Sequence, residues 1–200
     1  MIERPILFSG GMVRAILEDR KAKTRRIVKP QPTITPLDDG RYDAAWGGRF
    51  ALVCSTPGEC LSPWSPYGQP GDRLWVRETF SEFDTLNGMV CWYKAESDDS
   101  DYWHNVTWRP SIHMPRRLSR ITLEIVAVRV ERLNDISEED AIAEGIERHK
   151  NGAWKHYTEP LAYCTNAKDS FRSLWEQING TESWTANPWV WVISFKRVTP

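Results

Sequence analysis

Apolar positions change period several times along this chain, and each change marks an element. Met12, Val13, Ile16 and Leu17 recur at helical spacing and predict a short amphipathic helix over 11–19. The stretch Arg20–Lys29 then turns into an extended piece, halted at Pro30-Gln31-Pro32. From Thr33 to Gln69 no period persists, and recurring prolines and glycines predict an insertion or a long irregular excursion. Gly71-Asp72 turns into a strand over Arg73–Phe80, in which Leu74, Trp75 and Val76 suit a buried sheet. Met89–Ala95 predicts a second strand, placed to pair with the first across the Asp84–Gly88 turn region. Residues 97–118 return to a polar, aromatic-rich loop.

Ile121, Leu123 and Ile125 alternate cleanly, and Val126, Val128 and Val130 then alternate in the opposite phase. A phase change inside one strand means a bulge or a sharp bend. Long bent strands of this kind occur where a sheet curls into a barrel. Ser137 is placed to cap a helix, with Asp140 at its third position and Ile136 as a hydrophobic staple. Gly145 ends that helix. Phe171, Leu174, Trp175 and Ile178 predict a further helix over Ala167–Ile178, stopped by Asn179-Gly180. The last strand, Trp189–Val198, puts Trp189, Trp191, Ile193 and Phe195 on one face. The order of elements predicts a single α+β domain around a small curved or closed sheet.

Length and composition narrow the class. With 200 residues, 40% hydrophobic and 26% charged, the chain can bury a core and is not a disordered one. No apolar run is long enough to span a membrane, and the first residues do not form a secretory signal, so a cytoplasmic protein is expected. Cys54, Cys60, Cys91 and Cys164 are scattered without a CxxC pair. His104, His113, His149 and His156 show no ligand spacing. No metal and no cofactor is expected.

Net charge is −1, so bulk electrostatics does not demand a polyanion, but the distribution is uneven. Arg4, Arg14, Arg20, Lys21, Lys23, Arg25, Arg26 and Lys29 crowd the first segment, while Glu138, Glu139, Asp140, Glu144 and Glu147 crowd a later one. A local basic face fits an anionic ligand, and a solvated, salt-bridged surface fits equally. Eleven tryptophans are the other oddity. Trp175, Trp189 and Trp191 fall on periodic segments and belong to the core. Trp46, Trp64, Trp92, Trp103, Trp108, Trp154 and Trp184 lie in polar or turn-rich surroundings. There they can stack on bases or cover small satellite cores beneath long loops.

The densest candidate site is the run from Asp19 to Arg26. The segment Ile16-Leu17-Glu18-Asp19-Arg20-Lys21-Ala22-Lys23-Thr24-Arg25-Arg26 resembles the signature of the ASCH superfamily, small PUA-like β-barrel domains. Within it the spacing of Lys21, Thr24 and Arg26 resembles that of the bacterial N4-acetylcytidine amidohydrolases. Three further pieces follow in the same order: Gly71-Asp72-Arg73-Leu74, the segment Leu133–Gly145 with a functional glutamate falling on Glu144, and Trp191–Lys196. Together they cover roughly half the chain. The resemblance leaves 33–69, 97–118 and 148–166 as insertions, like those of long tryptophan-rich versions encoded by phages and prophages. Asp19 stands where the family usually has glycine, a departure that a left-handed aspartate can accommodate.

The resemblance implies a fold, a PUA-like barrel with flanking helices and loop insertions, and a function, binding of a modified nucleoside or of RNA or DNA. It implies amide hydrolysis of an N-acylated base such as N4-acetylcytidine. The residue chemistry is consistent with that reaction, which needs a nucleophile, a base and an acid. Thr24 is the candidate nucleophile and Lys21 its base, provided burial and cationic neighbours bring the amine below its ordinary range. Glu144 is the candidate acid, with Glu78 as its substitute or as a simple partner of Arg77. Arg26 and Arg20 are the candidate substrate-binding residues, together with Glu78, and Arg26 can also meet a developing oxyanion. Arg25, Arg109, Arg116 and Arg117, with His113 and Arg120 nearby, are candidate contacts to a phosphate backbone. A non-catalytic RNA- or DNA-binding module and a ribonuclease on the same scaffold are the alternatives. The loops 33–69 and 97–118 are expected to pack on the sheet through Trp46, Trp64, Trp103 and Trp108 and to form a rim over the pocket.

Overall fold

The computed structural model describes residues 1–54, 56, 61–86, 88–97 and 105–198. Trp103, His104 and Cys60 lie outside the described residues. The chain is mixed α and β, and no helix among the described residues is long and apolar enough to cross a membrane.

A five-stranded sheet organises the fold. Its strands are β1 (Glu3–Leu7), β2 (Lys23–Ile27), β6 (Arg73–Arg77), β9 (Thr122–Arg132) and β12 (Trp189–Val198), in the spatial order β1-β6-β9-β12-β2. β1 runs parallel to β6, and the other neighbours are antiparallel. Between β2 and β6 lies a three-stranded antiparallel sheet of β3 (Thr33–Pro36), β4 (Tyr42–Trp46) and β5 (Arg49–Cys54). The expected irregular excursion over 33–69 is thus corrected for its first part. These strands are short, and among their described side chains only Ala44 is buried, so they carry no sustained alternation to read. β7 (Phe80–Thr85) and β8 (Gly88–Tyr93) form a hairpin, which corrects the expected pairing. The predicted strand over Arg73–Phe80 ends at Arg77 and pairs with β1 and β9, and a separate strand, β7, is the partner of β8.

β9 pairs along its whole length with β12, and the register slips between Ser194 and Phe195. Ser194 faces Ala127 and Phe195 faces Ile125, so Val126 is the extra residue, and it is 53% exposed. That is the bulge the change of phase predicts. β12 is buried on both faces. Trp191, Ile193 and Phe195 belong to one apolar core with Leu74, Leu123 and Ile125. Val190 and Val192 belong to the other, with Phe171, Trp175 and Trp184. Each such large side chain contributes roughly 1.5–3 kcal/mol by burial.

β1 and β2 are the edges of this sheet, and no ladder joins them among the described residues. A closed barrel is therefore not formed there. What spans the gap is a side chain: Arg26 Nη2 donates to the Leu7 carbonyl at 2.6 Å.

Helix α1 (Gly10–Leu17) links the two edges and ends on Asp19, which takes the left-handed conformation at φ 56°. The aspartate therefore turns the chain as a glycine would. Helix α2 (Glu138–Ala143) starts where Ser137 accepts a hydrogen bond from the Asp140 amide. Helix α3 (Ala167–Asn179) packs against α2 and against a small hairpin of β10 (Trp154–Lys155) and β11 (Tyr163–Cys164).

Two contacts tie α1 to the end of α2. Lys21 bridges Glu144 in antiparallel fashion, and the Ala22 amide donates to the Ala143 carbonyl at 2.9 Å. Gly145 makes this approach possible. Its φ is +83°, and a Cβ there would meet both the Ala15 and the Lys21 Cβ at 2.8 Å. Gly145→Ala combines a strained backbone with overpacking, so a loss of about 2–4 kcal/mol is expected. Chemical denaturation of the variant measures it, and a midpoint equal to wild type would contradict it.

Candidate functional site

β2 is an edge strand, so residues of both its faces can reach a ligand. Its register sorts them. Thr24 lies opposite Ile193 and Arg26 opposite Trp191, which places this pair on the face of the first core. Arg25 lies opposite Val192, on the face covered by α2 and α3. Arg129 is also opposite Val192, and Glu131 is opposite Val190, so the register puts both on the face of Arg25.

The result is a buried ionic network. Arg25, whose side chain is 0% exposed, donates to Glu131 at 2.6 Å, to Asp140 at 2.7 Å and to Glu144 at 3.2 Å. Lys21 Nζ, equally buried, donates to Glu144 Oε2 at 2.8 Å and to the Glu144 carbonyl at 2.7 Å. Lys23 and Arg129 both donate to Asp140. Burial lowers the Lys21 amine against the pull of Glu144. Burial also works against Arg25, but Glu144 and Glu131 outweigh it and raise the guanidinium. For Asp140 burial acts upward, and the hydrogen bonds from Lys23, Arg25 and Arg129 outweigh it, holding the carboxyl well below its ordinary 3.8.

That depression has a consequence for stability. A carboxyl lowered in the folded state stabilises it above the unfolded value and loses that contribution as pH falls through the folded one. Stability should therefore drop below about pH 4, and Asp140→Asn should flatten this acid limb while lowering stability at neutral pH. Denaturation midpoints from pH 2 to 7 would show it, and parallel curves for variant and wild type would contradict it.

Above this network lies a cavity of about 320 Å³. Thr24, Arg26 and Glu144 line it, with Tyr67 from the segment before β6. Its apolar wall is Phe171, Leu174 and Trp175 on α3. The volume falls in the range of small-molecule sites. Thr24 is 2% exposed. Arg26 sits 5.3 Å above the Phe8 ring, and burial lowers its guanidinium while Tyr67 and Glu144 oppose. Burial pushes the Tyr67 hydroxyl up. The cavity thus offers hydrogen-bond donors at Arg26 and Tyr67, a hydroxyl at Thr24, and a carboxylate held in place from behind.

Of the residues singled out in the sequence, Thr24, Arg25, Arg26 and Glu144 meet at this cavity. Lys21 does not line it and reaches Glu144 from the far side. Arg20 lies away from it, exposed and bound to Glu18 and to the Gly145 carbonyl. Glu78 is buried elsewhere, gripped at 2.9 and 3.0 Å by Arg120 rather than Arg77. Arg25 as a phosphate-backbone contact is corrected: although it lines the cavity, its side chain is enclosed and three carboxylates, Glu131, Asp140 and Glu144, already hold it. Arg109 and Arg117 remain exposed beside Glu82, and Arg116 beside Glu3.

The tryptophan rim is not the cavity wall. Trp46 packs edge-on against Trp191 at 5.7 Å, and Trp64 packs on the first core. Trp108 does not line the cavity. Tyr67 and the α3 wall went unpredicted as site residues. The apolar period of α3 was readable, but it reads as core. Among the described residues no group of histidines, cysteines and carboxylates is arranged to hold a metal ion. Comparison with protein-family models, with curated proteins and with solved structures found no match.

Proposed function

We propose that this chain is a nucleoside-binding domain of the PUA-like ASCH type, with the cavity at the β2 edge as its ligand site. The proposed reaction is hydrolysis of an N-acylated base such as N4-acetylcytidine. One observation carries the reading: Thr24 and Arg26 of β2 and Glu144, distant from them in the chain, line one cavity beside an aromatic wall. A planar base fits against Phe171 and Trp175, and an acyl group then has the hydroxyl, guanidinium and carboxylate within the same space.

In this scheme Thr24 Oγ1 attacks the acyl carbon, and its proton passes to Glu144. The same proton goes on to the departing exocyclic nitrogen, and a water then hydrolyses the acyl-threonine, releasing the carboxylic acid. Arg26 meets the oxyanion. The base role moves from Lys21 to Glu144, because Glu144 lines the cavity and Lys21 does not. Lys21 and Arg25 are positioning residues that fix the carboxylate.

A second reading is non-catalytic binding of RNA or DNA. Both Glu144 oxygens already accept from cations, and Arg109, Arg116 and Arg117 stay exposed. Incubation of the protein with N4-acetylcytidine, followed by chromatography, separates the two. Cytidine and acetate in equal amounts are expected. No product, together with RNA binding that weakens steeply with salt, would hand the site to the second reading.

A further inference from the structure

A second cavity of about 220 Å³ adjoins the first, and Met12, Glu144 and Leu174 belong to the walls of both. Its remaining lining comes from the start of α1, from Gly145 and Glu147 just after α2, from α3 and from the 148–166 segment, which the sequence resemblance does not cover. Ser9, Arg14, Glu147, Lys155, Tyr157 and Gln177 supply its polar groups.

Their free valences decide what it can hold. Arg14 uses one N–H on the Ala95 carbonyl at 3.1 Å and has others left. Glu147 accepts from Lys155 through Oε2 at 2.7 Å, which leaves Oε1. The Tyr157 hydroxyl accepts from the Glu147 amide at 2.9 Å and keeps its own proton to donate. Gln177 spends its Nε2 on the Tyr157 carbonyl at 2.9 Å, which leaves its amide oxygen as an acceptor. Free donors and free acceptors therefore line one small space. A phosphate only accepts, so Glu147 and Gln177 would repel it. A sugar hydroxyl both donates and accepts, so a pentose with several of them can pair with both kinds of group.

We infer that this second cavity is the sugar compartment of the same site, so that the ligand is an intact nucleoside whose pentose lies between α1 and the 148–166 segment. The inference rests on the nucleobase reading of the first cavity. It also assigns that segment a role: it supplies Lys155 and Tyr157, and through Tyr157 it orients Gln177. Gln177 is the specificity-determining residue, being exposed and free of any part in the ionic network.

Titration of labelled protein with cytosine and with cytidine, followed by nuclear magnetic resonance, tests it. The Trp175 indole N–H reports on the first cavity, and the Gly11 amide and Gln177 side-chain amide report on the second. Cytosine is expected to shift the Trp175 signal alone. Cytidine should shift all three and bind about tenfold tighter, the gain of one or two added hydrogen bonds. Gln177→Ala should remove most of that gain without changing cytosine affinity. If cytidine shifts only Trp175 and binds no tighter than cytosine, the sugar compartment is overturned while the nucleobase reading stands. If neither compound shifts Trp175, the nucleobase reading fails and the inference falls with it.

Discussion

Arg25→Met should cost about 3–5 kcal/mol and leave little of the fold's stability, since small proteins have only about 5–15 kcal/mol in all. The guanidinium is enclosed and is the one group that touches Glu131, Asp140 and Glu144 together. Methionine fills a similar volume but removes the Glu131 contact at 2.6 Å, leaving Glu131 to Arg129, and Asp140 and Glu144 to Lys23, Arg129 and Lys21. Three carboxylates then face one another near the second core. Arg25→Lys should fall between, because a point charge on a flexible stem cannot bridge three acceptors at once. Denaturation with urea reads both variants. A methionine variant as stable as wild type would mean that the network contributes nothing net, as some buried ion pairs do when replaced.

The enclosure of Arg25 also shows where reading the sequence stops. The run from Arg20 to Arg26 looks like a solvated basic face, because nothing in a single strand says which face a helix will cover. The answer lies in Val192 and Val190, more than 160 residues on, which pair opposite Arg25 and Ile27 and belong to the second core. Glu131 and Asp140 are the complementary half of that information. Asp140 was legible as a capping position, and its meeting with Arg25 was not.

Elements with their own strong local signals were legible. Val126 announced the bulge by switching the phase of alternation, and Ser137 and Gly145 bounded α2 by capping chemistry. The convergence of Thr24 with Glu144 was expected from the ordered resemblance and from the opposite charges of their two segments, and the contact itself needs Gly145 to let two backbones approach. The strands β3 to β5 gave no such signal. Their one buried anchor among side chains described there is Ala44, too small to stand out in a hydropathy pattern. The parallel pairing of β1 with β6 is likewise a tertiary choice, made where Arg73 and Asp72 meet Ile2 at the start of the chain.

If Thr24 is the nucleophile of the proposed reaction, Thr24→Ala should lower turnover of N4-acetylcytidine by roughly 10³-fold or more, as removal of a nucleophile does in comparable acyl-transfer sites. The fold should survive, since deleting so small a side chain at the sheet edge costs about 1 kcal/mol. Ligand affinity should change little, because in the proposed scheme the base lies against Phe171 and Trp175 rather than on the hydroxyl. Thr24→Ser restores a nucleophile without the methyl and should recover part of the rate. Glu144→Gln should cost as much turnover as Thr24→Ala, and the double variant no more than either, since proton acceptor and nucleophile act as a unit. Turnover that persists in Thr24→Ala but vanishes in Glu144→Gln would replace the acyl-threonine with a water activated directly by the carboxylate. Additive losses in the double variant would separate the two residues into independent roles, and the cavity would then be a binding site whose hydrolysis has another origin.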